Sequence, residues 1–296
     1  MQSQKQGVIF AIAAFLMWGL APIYFKAIDH VASMEILLHR VVWSVLFLLV
    51  ILTVVKKWRL VKSALFNVKT AGWLLLSAAL LGFNWGLFIW SVNNNHMLDA
   101  SLGYYINPLL NVLLGVLFLS ERLRRLQLVA VVLAVTGVVI QLVSFGSFPV
   151  IAFSLASSFA LYGLIRKKLP VDTLPGLLIE SLFMLPVALI YWWGLDTPTS
   201  DLTSNSVSLN LLLISAGIVT TLPLLCFTAA ARRIQYSTLG FFQYIGPSLM
   251  FILAVLFYGE TFSADRMVTF GFIWSALALF SFDSYRNAKR VAVNPQ

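Results

Sequence analysis

The sequence predicts an all-α integral membrane protein of ten transmembrane helices, arranged as two inverted five-helix repeats. Three observations lead there. The 296 residues are 60% hydrophobic and only 10% charged, with a mean hydropathy of +0.91, whereas soluble domains carry about 25% charged residues. Apolar runs of about 20 residues, the length that crosses a bilayer as a helix, recur to the end of the chain. One helix pattern is also written twice: Ser101 to Arg122 (SLGYYINPLLNVLLGVLFLSER) returns as Thr238 to Thr261 (TLGFFQYIGPSLMFILAVLFYGET). A period of that kind marks a duplicated chain.

Within lipid the backbone must satisfy its own hydrogen bonds, so these runs read as helices, and the alternation expected of barrel strands is absent. In order they are Gly7 to Ala27, Met34 to Val55, Gly72 to Val92, Ala100 to Ser120, Leu126 to Val143, Pro149 to Ile165, Leu174 to Leu195, Leu209 to Ala231, Thr238 to Tyr258 and Asp265 to Asp283. The first is too long for the core of a signal peptide and lacks a small-residue cleavage site, so it reads as a retained span.

A net charge of +9 would point to nucleic acid in a soluble protein. Here it reflects loops that face anionic lipid, and no nucleic-acid partner is expected. One set of loops holds Lys5; Lys56, Lys57, Arg59, Lys62 and Lys69; Arg122, Arg124 and Arg125; Arg166, Lys167 and Lys168; Arg232 and Arg233; and Arg286, Lys289 and Arg290. The opposite loops hold Lys26 and Arg266, and Arg40 lies within a span. The positive-inside rule places both termini in the cytoplasm of a bacterium, with the spans in its inner membrane. A single cysteine, Cys226, excludes an internal disulfide or a thiolate cluster, and His30, His39 and His96 are too scattered to hold a metal. No GxxxxGK[ST] loop is present, so an ATP-driven pump within this chain is excluded and no cofactor is expected.

The repeat extends along the whole chain. Leu74 to Tyr105 lies over Leu211 to Phe242 without a gap, and Phe15-Leu16-Met17-Trp18-Gly19-Leu20 lies over Phe159-Ala160-Leu161-Tyr162-Gly163-Leu164. The halves are residues 1–144 and 145–296, divided at the Ser144 to Ser147 turn. Five spans per half invert the second half, an architecture that recurs in secondary transporters with the substrate site near the midplane.

These features resemble the drug/metabolite transporter superfamily, in its EamA-type branch: an aromatic-Gly in the first helix of each half, and a Gly…Pro…Glu fourth helix. More narrowly, FNWGLFIWSVNNNHMLDASLGYYINPL and GIVTTLPLLCFTAAARRIQYSTLGFFQYIGPSLMF are similar to the RarD-type permeases, the chloramphenicol-sensitivity group of bacteria. The similarity covers nearly the full chain. It implies a ten-helix inner-membrane permease and leaves its cargo open.

Polar groups inside the spans supply the candidate site. Arg40 sits about two turns into the second span, where a guanidinium costs ~2.5–3.5 kcal/mol to insert. It is expected to meet cargo or a wet cavity, unless it snorkels outward or pairs with Glu35. Glu180 is its counterpart, since Leu37-Leu38-His39-Arg40 aligns with Leu177-Leu178-Ile179-Glu180. It reads either as a proton-coupling carboxyl or as an interhelical hydrogen-bond partner. His39 is expected to face away from both helix neighbours. Ser77, Asn84 and Ser91 form a stripe at seven-residue spacing, aligned with Ile214, Thr221 and Thr228, and serve either helix packing or a site. Trp18, Trp85, Phe88 and Trp90 add aromatic surface suited to an organic body.

On the fourth span Ser101, Tyr104, Pro108 and Asn111 share a face, with Tyr105 and Asn107 beside them. The ninth span carries two extra residues, Gln243 and Tyr244, ahead of the equivalent proline. An irregular turn at Gly246-Pro247 is expected to absorb them, so that Pro108, Gly246 and Pro247 act as hinges in matching broken helices. Ala130, Ala134 and Gly137 form a small-residue face for packing within a half or between protomers of a homodimer. The expected activity is secondary transport of a small organic metabolite or drug by alternating access, with uncoupled exchange or facilitation as the alternative. An intramembrane enzyme would need a nucleophile–base or metal pair that these residues do not assemble, and a receptor or scaffold would not require charge inside both halves.

Overall fold

The computed structural model describes residues 2–94, 96–146, 148–257 and 264–293. Its elements are α1 (Gln2–Ala27), α2 (Ser33–Val54), α3 (Trp58–Phe66), α4 (Val68–Asn93), α5 (Met97–Leu119), α6 (Arg125–Phe145), α7 (Val150–Lys168), α8 (Thr173–Trp193), α9 (Val207–Ala231), α10 (Tyr236–Gln243), α11 (Ile245–Leu256) and α12 (Ala264–Val293). Ten spans long and apolar enough to cross a membrane result, α10 and α11 together making one. No strand occurs among the described residues. The short helix α3 was not expected. Its exposed face carries Arg59 and Lys62, while Val61 and Ala64 are buried, so it lies on the bundle as an amphipathic segment.

Packing runs mainly between α1–α6 and α7–α12, the two halves expected from the repeat. α1 lies against α9, α2 against α8 and α9, α4 against α7 and α8, α5 against α7 and α10, and α6 against α12. Exchanging the halves turns the α1–α9 pair into α7–α4 and the α2–α9 pair into α8–α4, and returns α2–α8 and α6–α12 to themselves. Gly217 fixes one of these crossings. A Cβ there would sit 2.4 Å from the Trp43 carbonyl carbon, so the backbones of α2 and α9 touch, and Ser44 donates to the Gly217 carbonyl at 3.2 Å. The small-residue face of α6 packs on α12: Ala130 and Ala134 are buried with Ile273 and Ala276, and a Cβ on Gly137 would meet Phe272 at 3.1 Å. That face therefore joins the two halves, rather than closing one half or meeting a second protomer, because only small side chains let two helices approach so closely.

The basic loops gather at one end of the bundle. Asp172, before α8, accepts from Lys57 at 3.3 Å and from Arg232 at 3.2 Å, and Arg124 reaches Asp283 near the end of α12 at 2.5 Å. Gly7 of α1 lies against Arg233, so both ends of the described chain are at this basic end. At the opposite end Glu35 accepts from Thr197 at 2.6 Å and Thr199 at 2.8 Å, and a cleft of about 410 Å³ opens between residues 29–34 and 197–199.

The repeated helix explains its own acid. Ser120 ends α5 in the left-handed conformation, φ 54°, and Glu121 then turns toward α10. There its carboxylate accepts from the Tyr236 N–H at 2.5 Å, the Ser237 N–H at 2.9 Å and the Ser237 hydroxyl at 2.7 Å. A carboxylate on the free N–H groups of a helix start is favoured by both hydrogen bonding and the helix dipole. Its repeat equivalent, Glu260, lies outside the described residues.

The break in the ninth span falls at Tyr244, two residues ahead of the expected Gly246-Pro247 turn. Pro247 has no N–H for the carbonyl of Gln243, and as the third residue of α11 it sits in a first turn, where that donor would be unpaired anyway. The first half lacks a matching break, since α5 runs continuously through Pro108.

Candidate functional site

Two buried or half-buried guanidiniums organise the interior, one toward each end of the bundle. Arg40, the eighth residue of α2, is placed by the close α2–α9 crossing at Gly217. One turn beyond that glycine, Thr220 accepts from Arg40 Nε at 2.8 Å. The guanidinium carbon lies 4.7 Å over the Trp85 ring and 5.9 Å from the Phe25 ring. Phe88 meets Tyr104 edge-to-face at 6.3 Å, and Tyr104, deep in α5, keeps 38% of its surface accessible. Arg40, Trp85 and Phe88 are also only half-buried. Among the described residues Arg40 has no carboxylate within ion-pair distance. The result is a half-buried guanidinium against the Trp85 and Phe25 rings, with no carboxylate partner among the described residues.

The expected Glu35 partner is engaged elsewhere. Its carboxylate binds the two threonines of the α8–α9 loop, and its other oxygen lies 3.8 Å from His39 Nε2. His39 therefore faces Glu35 rather than away from it, because residues four apart share a helix face. Its Nδ1 accepts from Trp43 at 3.0 Å.

The second guanidinium was read as a loop charge, but Arg166 is fully buried. Its Nε lies 3.5 Å from Glu180 Oε1, and Glu180 is also fully buried. Ser77 donates to the same carboxylate oxygen and Tyr162 to the other at 3.5 Å. Gly176 makes this possible, since a Cβ there would fall 2.2 Å from Arg166 Nη1. A glycine ten residues from an arginine at a helix end carries no sequence signal for such a pair, whereas Glu180 itself was legible as an acid within a span.

Other expected site residues hold helices together. Asn84 donates to the Leu155 carbonyl at 2.8 Å and to Ser158 at 3.0 Å, and Asn107 donates to the Ala156 carbonyl at 2.7 Å. Asn111 donates to Gln243 at 2.7 Å, and the Tyr244 hydroxyl donates to the Tyr105 carbonyl at 3.2 Å. This α5–α10 contact is tight: a Cβ on Gly240 would lie 2.7 Å from the Pro108 carbonyl oxygen. Gln243 and Tyr244 thus face α5 as expected, but Gln243 meets Asn111 and Asn107 turns to α7. Thr221 is buried with an unpartnered hydroxyl, and it is its neighbour Thr220 that Arg40 reaches. Trp18 joins Phe15, Phe159 and Phe227, with ring centroids 5.7–5.8 Å away. Ser91 bonds its own helix at the Leu87 carbonyl. No group of three His, Cys, Asp or Glu side chains able to hold a metal occurs among the described residues.

Comparison with known proteins gives this interior a family. The EamA-like transporter family matches residues 5–143. A transporter of Vibrio cholerae is 61% identical over 96% of this chain and 95% of its own length. Protein RarD of Salmonella typhimurium is 60% identical over 95% of this chain and 96% of its own, and protein RarD of Escherichia coli K12 is 56% identical over 97% and 98%. A crystal structure only 16% identical superposes with a TM-score of 0.72 over 92% of this chain and 96% of its own, and so shares the fold. The chain belongs to the EamA family of the drug/metabolite transporter superfamily, as a RarD-like permease that crosses a bacterial inner membrane many times.

Proposed function

We propose that the protein is a secondary permease that moves a small organic molecule bearing an anionic group, by alternating access between two inverted halves, residues 1–144 and 145–296. The observation that carries this is Arg40: a half-buried guanidinium with no carboxylate partner among the described residues, roofed by Trp85 and Phe25. An uncompensated charge inside a membrane protein marks a substrate or ion path, and a planar guanidinium suits the two oxygens of a carboxylate. The aromatic rings of Trp85, Phe88 and Tyr104 would hold the organic body, with a cation–π contribution from Arg40 itself. No aligned nucleophile and base accompany them, so this arrangement suits binding and release rather than catalysis.

The basic end is taken as cytoplasmic, with both termini there. The Arg40 guanidinium toward the other end is half-buried while the Arg166–Glu180 pair is fully buried, which would fit a state open to one side. Glu180 is the proposed proton-coupling group, and Tyr244 with Gly246 and Pro247, opposite Pro108, is the proposed hinge. Asn107, Asn111, Thr221, Gln243 and Tyr244 would act as locks whose hydrogen bonds exchange between states. Trp18 would brace the core rather than touch cargo. Any homodimer would use a surface other than the α6 small-residue face, which α12 covers.

The test is uptake in proteoliposomes, comparing labelled organic anions with their neutral amides under imposed pH gradients. Anion-selective uptake that falls away in Arg40→Ala and partly survives in Arg40→Lys is expected. Unchanged uptake in both variants, at equal incorporated protein, would overturn the assignment of Arg40. Uptake indifferent to the pH gradient would make the protein an uncoupled facilitator and remove Glu180 from its coupling role.

A further inference from the structure

We propose that Arg166 is a second carboxylate-binding residue of the permease, occupied in this conformation by Glu180 and taken over by the cargo when Glu180 withdraws. This rests on the transport reading above, but not on Arg40.

The geometry of the pair points this way. Arg166 is fully buried, yet its Nε and Nη1 have no hydrogen-bond partner, and Nη2 reaches only the Thr173 carbonyl at 3.3 Å. A guanidinium carries five N–H donors, and leaving them unmet in a buried site is costly. A purely structural ion pair would be expected to align its donors bidentately on the carboxylate. Here the contact is a single 3.5 Å approach.

Glu180 is anchored by other groups. Ser77 donates to Oε1 and Tyr162 to Oε2, so the carboxyl has hydroxyl partners that could hold it without Arg166. The guanidinium, for its part, rests on bare backbone at Gly176, where any side chain would collide with it. The chain keeps space for the guanidinium and leaves its Nε and Nη1 donors unmet.

Position supplies the path. Ser77 touches Glu180, and Trp85 touches Arg40. These two residues are eight apart on α4, which places the sites about 12 Å apart along one helix axis. A small organic anion released from Arg40 would thus meet a second guanidinium about two turns further along α4 and about 80° around it, provided Glu180 has vacated it. Competition between the resident carboxylate and the cargo's carboxylate would admit the anion in one conformation and expel it in the other.

The experiment uses thermal unfolding of the purified full-length protein with benzoate as probe and benzamide as its neutral control, all in an Arg40→Gln background that removes the first site. Arg40→Gln alone should show no benzoate-dependent rise in Tm, because Glu180 fills Arg166. Adding Glu180→Gln should produce a rise with benzoate and none with benzamide, as expected for a ligand that binds only the folded state. Adding Arg166→Gln to that protein should abolish the rise, and this pair of substitutions removes both charges together, so neither is left buried alone. Arg166→Lys in the same background should retain a reduced rise. Failure of benzoate to stabilise the Glu180→Gln protein, or a rise that survives Arg166→Gln, would overturn the proposal. Failure of the transport reading would show separately, as uptake indifferent to Arg40.

Discussion

The two guanidiniums of this permease are chemically identical and structurally opposite. Arg40 is half-buried, bonded to Thr220 and stacked on Trp85, with no carboxylate near it among the described residues. Arg166 is sealed from solvent and sits beside Glu180. The difference lies in what surrounds them. Around Arg40 the side chains are only part-buried, Tyr104 keeping 38% of its surface, and the contacts made there are a neutral hydroxyl and ring faces. At Arg166 the packing is closed, and the Glu180 carboxylate lowers the cost of a buried cation there. Under the proposed function, the first is the place for a ligand and the second a place already filled.

The largest expected effect tests the open member of the comparison. Removing a charged contact of about 2–5 kcal/mol predicts that Arg40→Ala lowers uptake roughly 30-fold or more, while leaving the amount of folded protein in the membrane nearly unchanged. Quantified uptake against surface-labelled protein checks both parts. A large loss of folded protein instead would make Arg40 as structural as Arg166.

The closed member should break through stability. Gly176→Ala places a methyl where Arg166 lies and should cost about 3 kcal/mol, the upper part of the range for overpacking. Gly86→Ala on α4, where a Cβ meets nothing within 4 Å, is the control and should be stable. Thermal unfolding in detergent compares them. Equal Tm values would mean that the guanidinium can move aside freely.

A smaller effect is expected at the α5–α10 lock. Asn111→Leu leaves the buried Gln243 side chain without its partner and should cost about 1–2 kcal/mol, again read as Tm. If uptake rises while stability falls, the lock belongs to the closed state.

The smallest effect concerns Asp172, which joins Lys57 and Arg232 at the surface. Burial pushes its carboxyl up, but the hydrogen bonds and charges of Lys57 and Arg232 outweigh that and hold it below the usual carboxylate range. A carboxyl depressed in the folded state contributes stability above its unfolded pKa of about 3.9, and that contribution is lost as pH falls through the lower folded value. Because the pair is well exposed, Asp172→Asn should cost less than about 1 kcal/mol at pH 7. The two proteins should converge in Tm once the pH falls below the folded pKa of Asp172. A gap that persists in acid would assign the effect to packing instead of charge.

Much of the interior was legible in advance for a simple reason. A charge within an apolar run is conspicuous, so Arg40 and Glu180 stood out, whereas the stacking of Arg40 on Trp85 was not legible. Arg166 did not stand out, since it ends α7 next to Lys167 and Lys168 and reads as one more basic loop residue. The repeat pointed to Thr221 as the partner of Asn84 in alignment, yet Arg40 reaches Thr220, because the Gly217 crossing sets which face of α9 it meets. The hinge shifted from Gly246 to Tyr244 because a proline disturbs the turn before it, and Pro108 left α5 unbroken.

The chain by itself determined that it forms ten helices long and apolar enough to cross a membrane, which of its loops are basic, and that one helix pattern is written twice. Those properties follow from hydrophobic length and loop charge, which are local and additive. Tertiary structure alone decided which guanidinium is open and which is sealed, that α6 joins the halves through α12, and that Asn111 pairs with Gln243 and not with cargo in this conformation. These depend on close approaches at Gly217, Gly176 and Gly240. Such approaches are set by which helices cross there, and no single helix encodes its partner.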